Sequence, residues 1–163
     1  MKTLLIVYDS VTGATRQMAD AVARGAHDEG EVAVRLLHAD EAGPEAVLAA
    51  DGYVFATPEM LASLAGRMKY FFDRSYYPVL DRIQGRPYAT VVCAGSDGQN
   101  ALRQIERIAA GWRLKAIAEP IIVCTHAQTP EAILAGKTVG AVDLRRGEEL
   151  GAALAAGLAL GLF

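Results

Sequence analysis

Ser10, Thr12 and Thr15 stand around Gly13 in the run Tyr8-Asp9-Ser10-Val11-Thr12-Gly13-Ala14-Thr15-Arg16-Gln17. Hydroxyls at that spacing, just ahead of a helical pattern, can bind an anion. A helix start offers backbone N–H groups with no intrahelical acceptor and the positive end of the macrodipole. The hydroxyls add donors around it, and Gly13 lets the backbone approach a phosphate with no Cβ in the way. Helices ordinarily carry Asp or Glu in the first turn, but Ala14-Thr15-Arg16-Gln17 has no acid and one cation, which leaves the positive end open. The simpler alternative is a capped surface helix, because Ser and Thr are common N-caps.

Two further loops have ligand-friendly composition, and the elements around them decide where all three lie. Thr3 to Tyr8 is a continuous apolar run, which predicts a strand covered on both faces. A helix from Ala14 to Gly30 follows, with Met18, Ala21, Val22 and Gly25 on one face and Arg16, Gln17, Asp20 and Arg24 facing out. Val32 to Leu37 reads as a second strand, Pro44 to Ala50 as a short helix with Pro at its first position, and Gly52 to Ala56 as a third strand. That strand runs into the loop Thr57 to Ser63, and a helix extends from Ser63 or Leu64 to about Ser75. Tyr88 to Cys93 is a fourth strand, ending in Ala94-Gly95-Ser96-Asp97-Gly98. The helix after it, Gln99 to Trp112, buries Leu102, Ile105, Ile108 and Ala109. Ile121 to Cys124 is a fifth strand, and Pro120 before it suits a sheet edge. Residues 125 to 144 read mostly as loop with a short helix at Pro130 to Leu134, and Arg145 to Phe163 closes the chain as a core-packed helix.

Strands that alternate with helices require a parallel sheet with helices on both faces, a three-layer α/β sandwich. In the five-stranded order 2-1-3-4-5 the sheet reverses between strands 1 and 3, and a crevice opens at their carboxyl ends. The loops Asp9 to Ala14, Thr57 to Ala62 and Ala94 to Gly98 then fall side by side at one edge.

Composition narrows the partners. At 163 residues and 52% hydrophobic, the chain is expected to form a single domain over 1–163. A net charge of -3 with scattered basic residues argues against nucleic acid. The start Met1-Lys2-Thr3-Leu4-Leu5-Ile6-Val7 runs into Tyr8-Asp9 with no cleavage site, so a strand is expected and not a signal peptide. Leu150 to Phe163 is too short to span a membrane, and a cytoplasmic location is expected. Cys93 and Cys124 each close an apolar run as small buried hydrophobes. With His27, His38 and His126 scattered, no metal site is expected, nor a disulfide.

The residues carry a resemblance. Tyr8 to Thr15 followed by Ala19 is similar to the phosphate loop of the flavodoxin-like FMN-binding family. Ala56-Thr57-Pro58, leading to Gly66-Arg67-Met68-Lys69-Tyr70-Phe71-Phe72-Asp73, resembles that family's flavin loop and the helix behind it. The likeness extends from residue 2 to about residue 123 and, more weakly, to Gly140-Ala141 and the last helix. Within the family it is to the small NAD(P)H-dependent FMN and quinone oxidoreductases. It implies FMN as cofactor, NADH or NADPH as electron donor, and a quinone, flavin or similar small molecule as acceptor. Carried over by position, Ser10, Thr12, Gly13, Ala14 and Thr15 would hold the phosphate. The isoalloxazine would lie between Thr57, Pro58, Glu59, Met60 and Leu61 on one side and Ala94, Gly95, Ser96, Asp97 and Gly98 on the other.

No residue is assigned a catalytic role, since hydride transfer to a flavin does not demand a protein base. Glu59 reads either as a group above the ring or as a solvated loop acid, and Asp97 either as a flavin neighbour or as the N-cap of the following helix. His126 reads as a neighbouring subunit's pocket residue or as a loop histidine with no role. Tyr70, Phe71, Phe72, Tyr76 and Tyr77 are more aromatic surface than one helix face normally buries. The alternatives are core packing and a subunit surface, the latter giving a homodimer or homotetramer. Two features depart from electron-carrier flavodoxins: neither loop carries Trp or Tyr to sandwich the ring, and Thr57 to Ala62 has no glycine whose peptide could flip to favour one-electron chemistry. The rival function is nonetheless a flavodoxin-type electron carrier or an FMN-binding module without its own substrate. A response-regulator receiver is disfavoured, because Ala56-Thr57-Pro58 stands where a phosphorylatable Asp would be needed.

Overall fold

The computed structural model describes residues 1–163. Its elements are β1 (Lys2–Tyr8), α1 (Ala14–Asp28), β2 (Val32–His38), α2 (Pro44–Ala49), β3 (Gly52–Met60), β4 (Ser63–Leu64), α3 (Gly66–Val79), β5 (Pro87–Ala94), α4 (Gln99–Gly111), β6 (Lys115–Ala116), β7 (Ile121–Cys124), α5 (Pro130–Leu134) and α6 (Ala141–Leu160). Parallel pairing joins β2 to β1, β1 to β3 and β3 to β5. The far edge of β5 is shared: β6 pairs with Pro87 and Tyr88, and β7 with Val91 to Ala94. The long strands thus follow the 2-1-3-4-5 pattern, while the two-residue β4 and β6 raise the sheet to seven strands, ordered β2-β1-β3-β5-β6 along its main path.

Strand alternation feeds two cores. Leu4, Ile6 and Tyr8 of β1 pack with Met18 and Val22 of α1 and Leu154 and Leu158 of α6. Leu5 and Val7 pack with Val47 of α2, Phe71 and Phe72 of α3 and Ile105 of α4. Successive side chains of a strand point to opposite faces, so both faces must be apolar, as the unbroken run predicted. α1 and α6 meet at backbone contact. A Cβ on Gly25 would lie 1.9 Å from the Glu148 carbonyl oxygen, and one on Gly151 would lie 1.9 Å from that of Val22. Trp112 is buried and donates its indole N–H to the Tyr76 carbonyl at 3.2 Å. Phe71 and Phe72 are core, whereas Tyr70 and Tyr77 are exposed, so the aromatic cluster divides between interior and surface.

The largest departure from expectation is at β3, which continues from Ala56 through Thr57 to Met60 instead of ending in a loop. β1 stops pairing at Ala56, and Pro58, which has no N–H to donate, falls just beyond that point while its register with Cys93 of β5 holds. The strand then folds back on β4, pairing Met60 with Ser63. Because Ser63 and Leu64 are taken into this hairpin, α3 begins at Gly66, and it continues beyond Ser75 to Val79. The final helix starts at Ala141, four residues ahead of the expected Arg145. No helix is long and apolar enough to cross a membrane.

Candidate functional site

The β1–α1 loop is set from below by Asp9. Its side chain is 2% exposed and is held by His38 Nε2 at 3.0 Å and Arg67 Nε at 3.1 Å. A buried carboxylate requires such partners. The Asp40 N–H donates to His38 Nδ1 at 3.2 Å, which leaves the ring proton on Nε2, facing Asp9. The same Asp9 oxygen accepts the Ser10 N–H at 2.9 Å, so the first residue of the loop is oriented by a buried carboxylate.

Ser10 Oγ then accepts the Arg16 N–H at 3.3 Å, and Gly13, at φ 100°, leads into α1 with no side-chain cap. The N–H groups of Thr12, Gly13, Ala14 and Thr15 find no acceptor within the chain. That is an anion cradle at a helix start with no acid in its first turn. Arg16 faces out, bonding Asp20 at 3.0 Å and the Tyr8 hydroxyl at 2.5 Å, and takes no part in the cradle.

The opposite wall is the β3–β4 hairpin, braced by α4. Glu59 accepts the Gly98 N–H at 3.1 Å and the Ala101 N–H at 3.5 Å, so it caps α4 from a neighbouring strand. Glu59 is therefore not a free loop acid, and Asp97 is exposed and does not cap: the N-cap position is Gly98, at φ 80°, with no side-chain bond of its own. In return, Gln104 Oε1 accepts from Ser63 Oγ at 2.9 Å and from the Leu64 N–H at 2.8 Å, and Asn100 donates to the Ala62 carbonyl at 2.5 Å. Thr57 is fully buried, and its hydroxyl accepts the Ala65 N–H at 3.1 Å.

Between these walls lies an open cleft. Of the residues expected at a ligand, Ser10, Thr12, Ala14, Thr15, Pro58, Glu59, Met60, Ala94 and Gly95 line it. Gly13, Thr57, Leu61, Ser96, Asp97 and Gly98 do not. Gly13 and Gly98 shape their turns, Thr57 is committed to the hairpin backbone, and Leu61 stands fully exposed at the hairpin tip.

The remaining wall is a strap from the segment expected to be mostly loop around the short helix α5: Thr125, Ala127, Ile133, Leu134 and Lys137. It is tied to the phosphate loop. The Lys137 N–H donates to the Thr12 carbonyl at 2.8 Å, while Gln17 donates to the Lys137 carbonyl at 2.8 Å and accepts the Val139 N–H at 3.0 Å. The available signal was Gln17, an amide able to clamp an extended backbone from both sides. His126 is exposed at φ 58°, outside the lining, with its N–H on the Gly95 carbonyl at 2.7 Å.

Cys93 forms part of the cleft floor. Burial pushes its thiol up to about 11, with the Thr15 hydroxyl partly opposing the shift, so the sulfur is a neutral wall and not a nucleophile. Cys124 is also a free thiol.

A doubly wound parallel sheet with its cleft at the strand-order reversal defines a flavodoxin-like fold. The structure of an archaeal flavodoxin superposes with a TM-score of 0.80 at 18% identity, covering 96% of this chain and 98% of that one. Residues 41–129, more than half of the chain, match the model for NADPH-dependent FMN reductase, and the chain belongs to that family. The matched span contains the hairpin and the β5–α4 loop. A flavodoxin from Aquifex aeolicus is 40% identical over 96 residues, 59% of this chain and 50% of that protein. An NAD(P)H dehydrogenase (quinone) from Acidithiobacillus ferrooxidans is 30% identical over 95 residues, 46% of this chain and 48% of that protein. The chain thus spans about half the length of these relatives.

Proposed function

We propose that residues 1–163 act as one FMN-binding domain of an oxidoreductase. It takes electrons from NADH or NADPH and passes them to a quinone, a free flavin or a similar small acceptor. The observation that supports this reading is one cleft with two unlike ends: unpartnered N–H groups and hydroxyls at Ser10 to Thr15, and a braced hairpin facing the small residues Ala94 and Gly95. FMN, when bound, supplies the hydride-accepting chemistry, and the chain supplies binding and orientation.

Thr12, Gly13, Ala14 and Thr15 would hold the phosphate through N–H groups, with the Thr12 and Thr15 hydroxyls beside them. Bonds to a charged acceptor contribute roughly 1.5–3 kcal/mol each. Backbone groups of Pro58 to Met60 and of Ala94 and Gly95 would border the ring. No aromatic side chain lines the cleft, so a nicotinamide has room to stack at reacting distance. Flavin fluorescence titration should give one FMN per chain with discrimination against riboflavin. FMN-loaded protein should oxidise NADH or NADPH in steady state with a panel of quinones.

The similarity to the Aquifex aeolicus flavodoxin favours a second reading, an electron carrier without its own substrate. Anaerobic titrations with NADPH, NADH and dithionite separate the two. Two-electron bleaching by a nicotinamide supports the reductase. No response to either nicotinamide, with a strong long-wavelength one-electron signal from dithionite, promotes the carrier.

A further inference from the structure

We infer that Lys137 is a movable counter-ion for the ligand's phosphate and sets the preference of this cleft for FMN over flavins that lack one. The inference rests on the phosphate reading of the Ser10–Thr15 cradle. Lys137 is the one Lys or Arg among the residues lining the cleft, and it forms no ion pair with any Asp or Glu. The one acid of the lining, Glu59, is engaged by the N-terminus of α4. The backbone of Lys137 is fixed beside the cradle on both sides: its N–H on the Thr12 carbonyl and its carbonyl on Gln17, which also bonds Gly13 at 2.9 Å.

The ammonium itself rests on weak partners. Nζ donates to the carbonyls of Ile133 at 2.9 Å and Ala135 at 2.5 Å, at the C-terminal end of α5. Both residues are exposed, so water can replace Nζ there at little loss. A dianionic phosphate at the cradle offers Nζ a full charge in exchange for two neutral carbonyls, and charge-assisted bonds are the stronger ones. A flexible four-carbon stem on an anchored backbone makes that swing a rotamer change with no movement of the chain. Lys137 therefore serves as a point charge added to a cradle whose directional donors are backbone N–H groups.

The test compares FMN and riboflavin dissociation constants, by flavin fluorescence quenching, for the parent chain and for Lys137→Gln, Lys137→Arg and Thr129→Ala. The last removes the side-chain cap of α5 and leaves the charge in place. Lys137→Gln is expected to weaken FMN tenfold or more while riboflavin changes less than twofold, and to flatten the salt dependence of FMN binding. Lys137→Arg should restore most of the preference, and Thr129→Ala should leave it intact. An equal loss for both flavins in Lys137→Gln would mean that Lys137 only holds the strap, and no loss for either would mean that Nζ stays on α5. Either result overturns the inference with the cradle still standing. Equal affinity of the parent for FMN and riboflavin overturns the cradle itself and the inference with it.

Discussion

The two ends of the cleft differ in what their polar groups are bonded to. At the β1–α1 end the N–H groups of Thr12 to Thr15 have no acceptor in the chain, while Asp9 and Gln17 hold the loop from behind. At the hairpin end the bracing side chains are paired within the protein: Glu59 with α4, Thr57 with Ala65, Gln104 with Ser63 and Leu64, Asn100 with Ala62. One end offers the donors of an uncapped helix start to a charged group, and the other a wall braced by side chains. Changes at the first should alter the ratio of FMN to riboflavin affinity. Changes at the second should alter stability and treat the two flavins alike.

The strongest break in that contrast is expected from Gly13→Val. At φ 100° a β-branched residue is strained, and its Cβ would sit 3.6 Å from Gln17 Nε2 and 3.9 Å from the Lys137 carbonyl. Strain of about 1–3 kcal/mol together with lost backbone approach should weaken FMN roughly a hundredfold or more. Thr12→Ala, which removes one hydroxyl donor, should weaken FMN by about 1.5–3 kcal/mol and leave riboflavin nearly unchanged. If calorimetry shows both variants folded and binding FMN like the parent, the phosphate does not sit at this end.

Cys93 lies between the two ends and gives a pH test. Its thiol pKa in the fold, about 11, exceeds the ordinary 9.0, so the folded chain keeps a proton that the unfolded chain releases. The stabilisation is complete below about pH 9 and is lost as pH rises through about 11, at most some 2–3 kcal/mol. Urea unfolding at about pH 8 and about pH 10.5 should show a steeper alkaline loss for the parent than for Cys93→Ala. Tyr53 and Tyr88, whose phenols burial also raises, contribute equally to both chains. An identical slope for the two would show that the cleft floor is wet.

What the sequence disclosed follows the same division. β7 at Ile121–Cys124 and α5 at Pro130–Leu134 coincide with their expected bounds, because each is a short run closed by local signals. The acid-free start of α1 was equally readable, since it depends only on adjacent residues. The hairpin was not. Pro58 reads as a strand stop, and the turn Leu61-Ala62 lacks the Asn or Gly that normally marks a tight hairpin. Glu59 as a cap for α4 and Lys137 beside Thr12 depend on partners 42 and 125 positions away in sequence, judged by Ala101 and Thr12. No local pattern encodes such pairings.

Glu59 tests the other half of the comparison. Replacing it with Ala removes the acceptor for Gly98 and Ala101 and should destabilise the chain by about 1 kcal/mol, the usual effect of losing an N-cap. Glu59→Gln keeps an acceptor oxygen and should recover part of the loss. Denaturant midpoints measure both. The FMN to riboflavin ratio should stay at the parental value, and a selective loss of FMN would instead place this carboxylate in the phosphate environment.

The smallest expected effect is a gain. Leu61 and Ala62 occupy the two central positions of the hairpin turn at φ 50° and 62°, a left-handed conformation that disfavours side chains carrying a Cβ. Both are exposed, Leu61 completely, so no buried contact opposes a change. The double substitution Leu61→Asn with Ala62→Gly supplies the residues that this turn prefers and should stabilise the fold by about 1 kcal/mol. The gain is limited because glycine also widens the unfolded ensemble. Asn100 bonds the carbonyl of residue 62, a backbone group that survives the change. If the hairpin serves as a preformed wall, thermal unfolding should shift upward by a few degrees while FMN and riboflavin affinities move together or not at all. A more stable chain that binds FMN selectively worse would show that the strained turn, and not only the helix start, is set for the cofactor.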